Sequence, residues 1–211
     1  MAAAAFIALR GGSLSAQRYP TLDIEPPAPS QALVEGPVVR ARDMLAGARS
    51  RELLAAGFPA QFHFRIELWS EGRWFNDLER QMEYDVFVRY IALEKAYEVT
   101  QVVHDRPPLS LGKFTKLADA EAAVARPTRV PITAFRTSRT LYYVATLDVE
   151  VLSLGDLDEL DRWLRGEVEP TLSGSRNPGT ALSRTLRALA ARVLGGERRE
   201  YERRTAPFRV R

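Results

Sequence analysis

Phe62, Phe64, Ile66 and Leu68 alternate with His63, Arg65, Glu67 and Trp69. This period of two predicts a strand over 61–69 with one buried face and one outward face. A turn through Glu71-Gly72 leads to a second strand over 82–91, with Tyr84, Val86, Val88 and Tyr90 on one side. A third follows over 97–103, carrying Tyr97, Val99, Gln101 and Val103 on one face and ended by Pro107-Pro108. The short interval between the second and third strands allows an antiparallel hairpin, since a parallel crossover takes about a dozen residues or more. The longest alternation runs from Leu141 to Leu154, with Leu141, Tyr143, Ala145, Leu147, Val149 and Val151 on one side.

Helical spacing appears on both flanks. Met44, Leu45, Ala48, Leu53 and Leu54 predict a helix ended by Gly57 and Pro59. Val38 to Ala41 suits either a short strand or the approach to that helix. An alanine-rich helix is expected over 117–125, stopped by Pro127. Another is expected over 155–165, with Asp156, Asp158 and Glu159 in its first turn and Arg162 and Arg165 near its end, as the macrodipole favours. After a Ser/Gly/Pro loop over 173–179, a last helix over 180–194 presents Leu182, Leu186, Leu189 and Val193 as one stripe.

The ends read differently. Ala2 to Leu9 is a short apolar run followed by Ser13-Leu14-Ser15, whose small residues stand where a signal peptidase reads. Residues 1–17 are therefore expected to be a signal peptide truncated at its start, the alternative being a frayed cytoplasmic terminus. Eight apolar residues do not span a bilayer, which takes about 20. Pro20, Pro26, Pro27, Pro29 and Pro37 mark 18–37 as an extended spacer. The single domain is expected over 38–196, with a charged arginine-rich tail over 197–211.

Charge and composition narrow the function classes. The formal net charge of +3 is carried by that tail, where six arginines face three glutamates, so the body is balanced and offers no basic face. No cysteine is present, which excludes thiol catalysis, cysteine zinc sites and disulfides.

Four local signatures resemble one bacterial family, the domain of unknown function 4390. They are Glu52-Leu-Leu-Ala-Ala-Gly-Phe-Pro59 before a strand, Glu67-Leu-Trp69 with the Trp74 turn, Val88-Arg-Tyr90 before Tyr97, and Phe114-Thr-Lys-Leu-Ala-Asp-Ala120. The resemblance spans roughly 45–155 and implies an exported or membrane-proximal bacterial protein. It brings no catalytic residues with it, and the chain departs from the pattern after Leu154.

Candidate chemistry is sparse. His104 beside Asp105 has the residue types of a base and its orienter, with Ser110 as the nearest nucleophile to test, but no G-x-S-x-G elbow is present. His63 reads as an outward strand residue, and two histidines without H-E-x-x-H spacing make a poor metal site. Gly174 to Thr180 lacks the lysine of a phosphate-binding loop. Asp156, Asp158, Glu159 and Asp161 do not follow a calcium-loop spacing. No metal site and no cofactor are expected.

Trp69, Arg73, Trp74, Phe75 and Tyr90 are the residues expected to bind, since aromatics near a hairpin turn give large contact area at small entropic cost. Closing the sheet core is their other use.

The chain is thus expected to be α+β, an antiparallel meander-like or sandwich-like sheet packed with N- and C-terminal helices. The function expected is that of an exported, periplasmic envelope protein that binds a protein partner or a lipid-like ligand without catalysis. The alternatives are a hydrolase using His104 and Asp105 and a purely structural envelope domain. A peripheral membrane contact through 180–211 is a further expectation, and nucleic acid is not an expected partner.

Overall fold

The computed structural model describes residues 19–103, 106–151 and 199–210. The expected signal peptide, the expected helices over 155–165 and 180–194, and His104 with Asp105 lie outside these residues.

The alternation around Phe62 builds the centre of the molecule. Strands β3 (Ala60–Ser70), β4 (Asp77–Ile91), β5 (Ala96–Val103) and β6 (Leu109–Phe114) follow one another as an antiparallel meander. β8 (Leu141–Val151) pairs with the other side of β3, and β9 (Arg199–Arg204) closes that edge. The order of this six-stranded sheet is β6-β5-β4-β3-β8-β9. A second, three-stranded antiparallel sheet is ordered β1-β2-β7, from Thr21–Glu25, Val38–Arg42 and Thr128–Arg129.

The two sheets share one core. Leu22 and Ile24 of β1 and Val39 and Ala41 of β2 belong to the same buried cluster as Phe62, Phe64, Ile66, Tyr84, Val86, Tyr143 and Leu147. Helix α1 (Ala48–Ala55) contacts β4, and α2 (Leu117–Val124) contacts β5, β6 and β2. Among the described residues the architecture is mostly β, with 49% of them in strands.

Several expectations are corrected. The spacer over 18–37 contains β1, whose alternation buries Leu22 and Ile24 and exposes Thr21, Asp23 and Glu25. The ambiguous Val38 segment is a strand, and the helix starts only at Ala48, after Met44 and Leu45 have been buried from the preceding loop. The described part of the tail is also structured. β9 pairs with β8 from Val149↔Arg199 to Val144↔Arg204, and Phe208 bridges Leu141 and stacks on Tyr143 at 5.6 Å. Its arginines are used there: Arg203 donates to the Leu22 carbonyl at 3.2 Å and Arg209 to Thr140 Oγ1 at 3.3 Å.

The large sheet is also buried on part of its second face. Gln61, His63, Phe87, Val102, Thr146 and Asp148 are all buried, so the face expected to be outward is solvent-free near His63. Among the described residues, no helix is long and apolar enough to cross a membrane.

Candidate functional site

Ser70 faces Asp77 at the end of the β3–β4 ladder, leaving residues 71–76 as the connecting turn. The backbone of this turn is held by its neighbours. Glu71 N–H donates to the Thr140 carbonyl at 2.8 Å, and Arg139 Nε donates to the Glu71 carbonyl at 3.1 Å. Asn76 accepts from Gly72 N–H at 3.4 Å through Oδ1 and donates from Nδ2 to Tyr142 Oη at 2.9 Å. Gly72 fits only without a side chain, because a Cβ there would overlap the Phe75 carbonyl and approach Arg139 Nη2 to 2.9 Å.

Charge around the turn is balanced, with Arg139 shared between Asp77 and Glu79, which lies 3.8 Å away. Arg139 Nη1 lies 2.6 Å from Asp77, and Arg204 Nη2 lies 3.2 Å from Glu71 while its guanidinium stacks 3.5 Å above the Tyr142 ring. Ser70 Oγ donates to Glu79. On this base stand two rings that no described residue covers: Trp74 is 81% exposed and Phe75 84%. Arg73 sits over the Trp74 ring at 5.8 Å. It pairs with no carboxylate among the described residues.

The five residues expected to bind do not form one site. Arg73, Trp74 and Phe75 share the tip. Trp69 is half-buried beneath it, on the second face of the sheet, where its Nε1 donates to Glu67 Oε2 at 2.9 Å. Tyr90 lies twelve residues beyond Leu78 on β4, roughly 40 Å away at strand rise, and on the core side. There it packs on Tyr97 with ring centroids 4.9 Å apart. Tyr90 therefore serves the far hairpin and not the tip.

Two further features were not legible in the residue pattern. Across β4, β3 and β8, register aligns Asp85, His63 and Asp148 in one row. His63 Nδ1 lies 2.9 Å from Asp85 Oδ1, and Gln61 Nε2 donates to the same oxygen at 2.8 Å. The surface histidine of the sequence reading is thus a buried polar partner.

The other feature is a cleft of about 320 Å³ between the two sheets and α2. Its volume is at the lower end of the roughly 300–1,000 Å³ of small-molecule sites. Phe64 stacks on Tyr84 at 4.6 Å to form one wall, and Val39, Ala41, Val124 and Leu111 form others. A bulge supplies Leu111. Val99 faces Gly112 but Thr100 faces Ser110, so Leu111 is the extra residue, and Gly112 takes φ +130° beside it. Such bulges re-aim side chains. Burial pushes the Tyr84 hydroxyl well above the ordinary tyrosine range, against the opposing hydrogen bond of Thr128. Arg129, at the rim, is tied to Glu35 at 2.7 Å.

Of the hydrolase residues, Ser110 lies exposed on edge strand β6. Among the described residues, no group of three or more potential metal ligands is assembled. Compared with known proteins, the chain finds no match: no protein-family model, no curated protein and no solved structure.

Proposed function

We propose that this chain is a non-enzymatic recognition module of the bacterial envelope whose contact element is the aromatic tip of the β3–β4 hairpin. One observation carries the reading. Trp74 and Phe75 are 81% and 84% exposed on a turn held by Arg139, Asn76 and Tyr142. Large rings kept in water on a braced turn cost solvation without contributing to the core, and pre-organisation of this kind lowers the entropic cost of binding. The same exposure weighs against a purely structural role for Trp74. Placement in the periplasm, by export, rests on the apolar run Ala2 to Leu9 with Ser13-Leu14-Ser15. The resemblance to the domain of unknown function 4390 family points the same way. The finer fold belongs with this reading: an α+β domain whose meander-like or sandwich-like antiparallel sheet is packed with N- and C-terminal helices.

The cleft favours a second reading, in which a small lipid-like ligand enters between the sheets. Its support is the bulge that turns Leu111 toward an apolar cavity with Tyr84 and Gln101 at its wall.

Photo-crosslinking tests the tip. A photoreactive residue in place of Phe75, in cells expressing the chain, is expected to give adducts that the same residue at Leu93 does not. Leu93 is 99% exposed at the opposite hairpin and serves as the control. Equal labelling from both positions, or none from Phe75, overturns the reading.

A further inference from the structure

We infer that the partner of the tip is a lipid bilayer surface carrying anionic headgroups, into which Phe75 and Trp74 insert while Arg73 meets a phosphate. This rests on the reading of the tip as a recognition element.

Shape comes first. The exposed rings are adjacent at the end of a turn and flanked in sequence by the polar residues Arg73, Asn76 and Asp77; Leu78, next along the chain, is 45% exposed. A protein partner is met through a broad patch with a packed centre and a polar rim. A protruding pair of rings needs no complementary shape when the partner is fluid. Tryptophan is also the side chain that settles at the membrane–water interface, where one end is apolar and the other wet.

The backbone sets the depth of entry. Hydrocarbon offers no hydrogen bonds, so only side chains can reach it. The base of the tip is fixed through Glu71 N–H to Thr140 and Gly72 N–H to Asn76, and the backbone of 73–75 stays at headgroup level, where water and headgroups supply partners.

Charge comes third. Arg204 pairs with Glu71, and Arg139 is shared by Asp77 and Glu79, so with Arg73 the region carries no net charge and little net repulsion toward a membrane. Arg73 itself stands at the tip with the Trp74 face as its neighbour and no carboxylate partner among the described residues. One cation near an anionic surface strengthens binding about five-fold. Two rings and one arginine give weak, reversible attachment. An association constant on the order of 10⁴ M⁻¹ or below, that of one marginal lipid anchor, is the fitting scale.

The test is co-sedimentation of the purified chain with vesicles of phosphatidylglycerol and phosphatidylethanolamine, beside vesicles of phosphatidylcholine alone. Binding is expected to favour the anionic vesicles. Trp74→Ser and Phe75→Ser should each lose about ten-fold or more, the transfer preference of one large apolar side chain. Arg73→Gln should lose about five-fold on anionic vesicles and little on neutral ones. Leu93→Ser should bind as the parent does, and circular dichroism should show every variant folded. No vesicle binding, or binding that the two serine variants leave unchanged, overturns the proposal. Protein adducts from position 75 in cells, with no vesicle binding, sink the membrane while the recognition reading stands. Neither adducts nor vesicle binding sinks both.

Discussion

Gly72 packs its Cα directly against the carbonyl of Phe75, leaving no room for a methyl group. The two residues close the turn that lifts Trp74 and Phe75 into water. Gly72→Ala should therefore shift the turn and cost about 1–3 kcal/mol, the usual range for overpacking. Chemical denaturation measures the cost. Vesicle binding or crosslinking from the tip should fall with it, and an unchanged midpoint with unchanged binding would show that the turn relaxes freely.

Arg139 braces the same turn from the chain segment before β8, through Asp77 and the carbonyl of Glu71. The Asp77 side chain is 61% exposed, so solvent screening keeps the ion pair to about 1 kcal/mol or less. Arg139→Ala is thus expected to leave global stability nearly intact and to loosen the loop. Trypsin cleavage after Arg73 should accelerate. Cleavage at the parent rate would mean that Asn76 and Tyr142 hold the turn alone.

His63 and Asp85 are coupled on the buried part of the second face of the sheet. His63→Ala is expected to cost about 1–3 kcal/mol, because it leaves the half-buried Asp85 carboxylate with fewer partners. In a double-mutant cycle with Asp85→Ala, the two losses should sum to more than the double variant loses. Strict additivity would refute a direct interaction.

Tyr143 sets an alkaline limit. Its hydroxyl is buried, donates to the Ile132 carbonyl at 3.0 Å, and is pushed up by burial to about 12, with Arg80 opposing. The neutral form is favoured in the folded state. This contribution is fully present below the unfolded tyrosine value near 10 and is lost as pH rises through about 12. Tyr84, raised by burial as well, acts with the same sign. Tyr143→Phe should cost about 1–2 kcal/mol at neutral pH through the unpaired carbonyl. The gap between parent and variant should narrow from pH 10 to 12; a constant gap in pH-dependent denaturation would contradict the linkage.

The cleft between the sheets offers a further measurement of packing. Ala123→Leu adds apolar volume where about 320 Å³ is open. Its melting temperature should stay level or rise, since filling a void gains contacts without strain. A drop of several degrees would show the cleft to be closed to added side-chain volume.

Much of the sheet was legible because alternation is a local property. Phe62 to Leu68, Tyr84 to Val88 and Leu141 to Leu147 each declare a buried face within a few residues, and the short links from β3 to β4 and from β4 to β5 favour antiparallel pairing. The turn at Trp74 was equally visible. Edge strands were not. In β9, Arg-Glu-Tyr-Glu-Arg-Arg offers one partly buried side chain, Tyr201, because an edge needs few apolar residues and is protected by charge. In β1, Leu22 and Ile24 alternate correctly, but the surrounding prolines suggested a spacer.

By itself the sequence determined which residues form the central strands and that Trp74 and Phe75 sit in a turn, because both follow from neighbours along the chain. Only tertiary structure decided that Tyr90 belongs to the far hairpin and that His63 meets Asp85. It alone decided that Arg139, Tyr142 and Arg204 brace the tip, and that the rings stay in water. These depend on strand register and on contacts between segments distant in sequence, which no local period encodes.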